Sequence, residues 1–227
     1  MKIISSLMKV IDCLKEPGIT EEYGLKSSSY LPVVNTANAA RDTIIVTDES
    51  FSMENDDFKP TRLDGAIEAG IQYVNSRDNP DDRVAVVGFS TEANIVLPLT
   101  SIKNKGKIVE AMRCLRIDGG TDINEGLKAA VDIFNRETIN SQRYVILLTD
   151  GHGGQPLETS AILKNQYYAV IEVVGIGGTP MVVNEPLLHD IATTDADGFT
   201  HYRFIKDSVS LKKHYKNLAT ALEWKGI

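Results

Sequence analysis

The chain has 227 residues, with 24 Lys plus Arg against 31 Asp plus Glu and a formal net charge of −7 at pH 7. That length suits one large domain, or a domain and an arm, and argues against a multidomain machine. Hydrophobic residues at 42%, charged residues at 24% and only 8 prolines and 17 glycines argue against disorder and collagen-like repetition. The acidic balance repels phosphate-rich polymers, so no nucleic-acid partner is expected and a cation or a basic surface is favoured. Cys13 and Cys114 lie far apart and form no CxxC, which predicts reduced, mostly buried thiols.

No apolar run approaches the length that spans a bilayer. Ile3, Ile4, Leu7, Met8, Ile11 and Leu14 recur at helical spacing, giving an apolar stripe that stops near Pro17-Gly18 and docks on its own domain or on a partner. Lys9 and Asp12 interrupt it and no Ala-x-Ala follows, so it does not read as an export signal, and a cytoplasmic location is expected. From Gly24 to Arg41 the composition turns to Ser, Asn, Thr and Ala around Pro32, the pattern of an irregular linker. The expected division is therefore a helical arm and linker over residues 1–40 and a domain over 41–227.

Thr43 to Thr47 is a continuous β-branched run, as in a strand buried on both faces. A helix follows over Arg62 to Val74, then a strand over Arg83 to Ser90. Asn94 to Leu99 reads as an edge strand because Pro98 cannot donate to a ladder. Lys107 to Leu115 and Ile123 to Phe134 are predicted helices, and Arg143 to Thr149 a third buried strand. Next come a helix over Leu157 to Lys164, a strand over Ala169 to Gly175, a helix over Glu185 to Ala192 and a strand over Tyr202 to Ile205. Ser208 to Trp224 closes the pattern as an amphipathic helix. The alternation predicts a doubly wound, mostly parallel six-stranded α/β sheet with one antiparallel edge strand and helices on both faces. Ligands of such sheets bind at the carboxyl ends of the strands, where the strand order reverses.

Three polar clusters fall at that rim. Asp48, Ser50 and Ser52 alternate after the first strand, which turns their oxygens to one side if the loop is extended. Gly119-Gly120-Thr121-Asp122 brings a hydroxyl to a helix start, and Leu148-Thr149-Asp150-Gly151 puts a carboxylate at a strand end. Two carboxylates and three hydroxyls are hard oxygen donors, which suit Mg²⁺ or Mn²⁺ over zinc or copper. Each fragment also has a plain structural reading: Thr121 or Asp122 as a helix cap, with Glu125 completing a capping box, and Ser50 and Ser52 as turn residues.

Taken together, Asp48-Glu49-Ser50-Phe51-Ser52-Met53, Thr121 in GGTD and Asp150 in LLTDG resemble the DxSxS, Thr and Asp elements of a von Willebrand factor A domain. The resemblance runs from about Asp42 to Trp224 and implies a metal-ion-dependent adhesion site. By that likeness Ser50, Ser52 and Thr121 would hold Mg²⁺ through their hydroxyls, with Mn²⁺ or Ca²⁺ as substitutes. Asp48 and Asp150 would hold it largely through water, and the last position would take an Asp or Glu of a protein partner. The family also implies a binding role and not turnover, with intracellular relatives serving as adaptors or assembly factors beside ATPases, kinases or phosphatases.

Competing motifs fail on single residues. An EF-hand loop from Asp48 would put Met53 where glycine is required and Lys59 where a bidentate Glu belongs. Gly175-Ile176-Gly177-Gly178-Thr179-Pro180 has proline at the last glycine of a dinucleotide fingerprint. The remaining rival is a Mg²⁺-dependent phosphoester hydrolase with His152 as general base beside Asp48 and Asp150. Glu49, Phe51, Asp118 and His152 are the expected rim residues that select a partner, and Asp56 and Asp57 read as a solvated turn or a local attractor of cations.

Overall fold

The computed structural model describes residues 40–137 and 141–220. The N-terminal apolar stripe, Cys13 and the stretch of the last predicted helix beyond Thr220 lie outside the described residues. Within them the strands are β1 (Arg41–Asp48), β2 (Arg83–Phe89), β3 (Ala93–Ser101), β4 (Gln142–Thr149), β5 (Ala169–Ile176) and β6 (Tyr202–Ile205). The α-helices are α1 (Arg62–Ser76), α2 (Lys105–Arg113), α3 (Ile123–Asn135), α4 (Leu157–Asn165), α5 (Glu185–Ile191) and α6 (Ser208–Thr220).

The strands form one six-stranded sheet in the order β3-β2-β1-β4-β5-β6. Only the β2–β3 pair is antiparallel. The continuous apolar runs are needed because successive side chains enter different cores. Ile45, Val86, Ile146 and Val174 join Leu63, Met112, Leu211 and Tyr215, which places α1, α2 and α6 over one face. Ile44, Val87, Leu147 and Val173 join Leu127, Leu163 and Leu188, which places α3, α4 and α5 over the other. Fully burying one such Leu or Ile is worth about 1.5–3 kcal/mol, so both faces contribute heavily to stability.

Three local features differ from the sequence-based expectation. β1 begins at Arg41, inside the predicted linker, because Asp42 is buried and paired with Arg83, whose Nε and Nη2 donate to it at 2.8 and 2.7 Å. β3 runs on to Ser101, beyond the predicted end at Leu99, and the N–H missing at Pro98 is absorbed where the register shifts between Val84↔Thr100 and Val86↔Leu97. Cys114 is exposed and not buried, since it caps α2 just beyond Arg113 with its side chain outside the core.

At the amino-terminal edge of the sheet, Asp82 is buried and accepts from the Arg41 amide at 2.8 Å and from Arg77 Nε at 2.7 Å. Arg77 Nη1 in turn donates to the Ala219 carbonyl, tying the last turn of α6 to this network. At the opposite edge, β1 has β2 on one side and β4 on the other, so the connections leaving β1 and β4 part at their carboxyl ends and open a crevice. The register Thr47↔Leu148 sets Asp48 level with Thr149 across that crevice.

Removing Asp82 would strand the buried Arg77 guanidinium. Asp82→Ala is expected to lower unfolding free energy by about 3–5 kcal/mol in urea titration. Asp81→Ala, one residue away and exposed, should change it by no more than about 0.5 kcal/mol.

Candidate functional site

Asp48 ends β1 with none of its surface exposed. Its Oδ1 accepts from the Ser50 amide at 2.8 Å, and its Oδ2 from the Thr149 hydroxyl at 2.6 Å. The first bond bends the chain, and the next residues wind into a 3-10 turn over Phe51–Glu54 anchored by the fully buried Met53. This turn, not the extended alternation expected from sequence, gathers the serine hydroxyls: Ser50 Oγ and Ser52 Oγ lie 3.1 Å apart.

The second loop is tied to the first by backbone bonds. Phe51 N donates to the Gly119 carbonyl at 3.2 Å, and Asp118 N to the Glu49 carbonyl at 2.6 Å. Asp122 is the α3 N-cap and accepts from the Asn124 amide at 3.0 Å. The cap therefore does not consume Thr121, which sits half-buried one residue before it. The third loop lies directly on the second. Gly153, at φ 99°, comes so near that a Cβ there would fall 2.0 Å from the Thr121 carbonyl oxygen. Gly154, at φ 81°, would put one 2.2 Å from Asp122 Oδ1. Both the left-handed backbone and the contact demand glycine.

Asp150 is the other buried carboxylate of the rim. Its Oδ2 accepts from Arg62 Nη1 at 3.2 Å, whereas its Oδ1 is buried and has no hydrogen-bond partner. Arg62 opens α1 with 3% exposure and directs its Nε and Nη2 to Asp57 at 2.8 and 2.6 Å. Asp57 Oδ2 also accepts from the Gly178 amide at 2.8 Å. The Arg62 hydrogen bonds hold the Asp57 carboxyl below its usual range.

The electrostatics are uneven. Burial pushes the Asp48 carboxyl up to about 6, and the charge of Asp150 adds to it, against the hydrogen bonds from Ser50 and Thr149. A desolvated carboxylate pair with an orphaned oxygen is an incomplete arrangement that a cation would complete. Among the described residues no three His, Cys, Asp or Glu side chains are grouped to hold a metal, so a site here must draw on hydroxyls. Asp48, Ser50, Ser52 and Asp150 supply such a set at the ends of β1 and β4, and the loop carrying Thr121 abuts the loop that follows Asp150.

Of the expected rim residues, Phe51 is 67% exposed, and His152 is exposed with Nε2 3.1 Å from the Val182 carbonyl oxygen. Met181 beside that carbonyl is 95% exposed, adding an apolar rim residue that the sequence did not single out. Asp118 is exposed and accepts from Ser90 Oγ at 3.3 Å. Glu49 is half-buried and acts as a bracket: its Oε1 accepts from the Arg116 amide at 2.6 Å, and the carboxylate covers Gly88. Asp57 does lie in an exposed turn, as expected, but it is not a free charge, because Arg62 donates to both its oxygens. Sequence reasoning also missed Thr149 and Arg62. A cation at the first position of a helix opposes the helix dipole, and that was the available sign that Arg62 needs buried carboxylates nearby.

The fold and the polar loops at the strand ends define a doubly wound α/β domain with a polar rim at the β1–β4 crevice. Residues 43–152 match the family model described as von Willebrand factor type A domain. Uncharacterized protein sll0103 of Synechocystis is 30% identical over 138 residues, covering 59% of this chain and 31% of that protein. The chain thus spans about a third of the length of that relative. The crystal structure of BatB from Bacteroides thetaiotaomicron aligns with TM-score 0.68 at 23% identity, covering 81% of this chain and 98% of the other. The von Willebrand factor domain of the type V pili tip protein Mfa5 from Porphyromonas gingivalis aligns with TM-score 0.69 at 14% identity, covering 84% and 98%.

The raised Asp48 value fixes a sign. The folded state binds this proton more tightly than the unfolded chain, whose value is near 3.8. The Asp48 contribution to metal-free stability is therefore fully present below about pH 4, is lost as pH climbs toward 6, and levels off above. The shift corresponds to a contribution on the order of 3 kcal/mol. Urea titrations in chelator from pH 4 to 7 should show this slope in the wild type relative to Asp48→Asn. Parallel profiles for the two proteins would contradict it.

Proposed function

We propose that this domain is a metal-dependent protein-binding module. Asp48, Ser50, Ser52, Thr121 and Asp150 would hold Mg²⁺, with Mn²⁺ or Ca²⁺ as substitutes, in the manner of a metal-ion-dependent adhesion site. The observation that carries the reading is the buried Asp150 Oδ1 without a donor, beside an Asp48 whose ionisation burial opposes. The donor chemistry fits: hard, mostly neutral oxygens match a small divalent ion and leave it part of its charge. When bound, the ion supplies a Lewis-acidic point that attracts a carboxylate.

The chain's own residues do the remainder. Asp48 is positioned by Ser50 and Thr149, the serines are gathered by the turn that Met53 anchors, and the glycines of the third loop let it close on Thr121. The partner presents an Asp or Glu, and the exposed Phe51, His152 and Met181 supply the surface that selects it. Von Willebrand factor A domains are commonly protein-interaction and adhesion modules and are generally non-enzymatic, which accords with an adaptor role. The hydrolase reading needs His152 as a base, and its contact with the Val182 carbonyl lends that role no support.

Divalent ion at about a hundredfold excess over Kd should stabilise the folded state by about 2.7 kcal/mol, or about 5–10 °C in melting temperature. Asp48→Asn should lose most of that shift; equal shifts in both proteins would remove the site. Partner capture should fail in chelator and in Thr121→Ala. Metal-dependent release from a generic phosphoester, lost in His152→Ala, would instead establish the hydrolase.

A further inference from the structure

We infer that Asp57 is a positioning residue for this site: it holds the Arg62 guanidinium aside and so keeps Asp150 Oδ1 available to the ion. The inference rests on the metal-binding reading above. A guanidinium and a carboxylate favour a two-pronged pair, which occupies both oxygens of the acid. Here Asp57 takes the Nε and Nη2 edge at 2.8 and 2.6 Å, while Asp150 receives one longer contact of 3.2 Å through Oδ2 alone. The Gly178 amide, 2.8 Å from Asp57 Oδ2, fixes the carboxylate that does the holding.

Arg62 is 3% exposed, so water offers it little alternative. With the Asp57 charge removed, Asp150 becomes its nearest strong acceptor, in surroundings where attraction between charges is poorly screened. The guanidinium then closes on both Asp150 oxygens and becomes an internal competitor of the metal. Asp57 touches neither the proposed ion nor its partner and acts only through Arg62.

Titration of the full chain with Mn²⁺, followed by the loss of the free-ion EPR signal, tests this across a double-mutant cycle. Asp57→Asn keeps the shape and an acceptor for Gly178 but loses the charge; it should raise the Mn²⁺ Kd about tenfold, the equivalent of about 1.4 kcal/mol. Adding Arg62→Gln removes the competitor and should restore Kd to within about threefold of wild type. Asp57→Ser repeats the test with a smaller side chain, and urea titration in chelator confirms that each variant folds. A double variant as weak as Asp57→Asn, or an unchanged Kd in Asp57→Asn, overturns the positioning role while leaving the metal site standing. A wild type that binds no Mn²⁺ overturns both.

Discussion

Two carboxylates drawn out of water at the ends of β1 and β4 are the constraint around which this domain is arranged. A parallel sheet forces it, because the strands on either side of the reversal in order must deliver their last residues to the same crevice. Asp48 and Asp150 meet there with Ser50, Thr149 and Arg62 as their only described donors, and one oxygen is left over. The surrounding features manage that placement: the 3-10 turn that brings Ser50 and Ser52 together, the glycine pair pressed on Thr121 and Asp122, and the bracket made by Glu49.

The four inner strands, β1, β2, β4 and β5, were legible because each carries a run of mostly β-branched or aliphatic residues serving two cores at once. β6 matched its predicted bounds, and the other boundaries moved by a few residues. β1 was shortened in the sequence reading because Arg41 and Asp42 look like linker residues until Asp82 and Arg83 are placed beside them. The polar clusters were legible for a different reason: the strand-end positions of Asp48 and Asp150 follow from topology without any knowledge of side-chain contacts.

What sequence did not reveal is pairing across distance. Arg62 and Asp150 are 88 residues apart, and nothing local marks them as partners. Asp57 looked like one more acid in a charged turn, and only its contacts with Arg62 and Gly178 distinguish it from Asp56, which pairs with Lys59 in the open. Glu49 was read only as a rim residue, and its hold on the Arg116 amide and its cover over Gly88 were not visible in sequence. Cys114 shows the same limit, since composition says how often a thiol is buried but not which side of a helix end it falls on.

The outer strands bear on how anything can be recognised. β6 has four residues, and β3 is interrupted by register shifts around Pro98. Neither offers the long, regular row of main-chain donors and acceptors that an incoming extended peptide needs in order to add itself to a sheet. Recruitment by strand addition is thereby discouraged, as is edge-to-edge self-association, and contacts with other molecules are steered toward side chains on the loops.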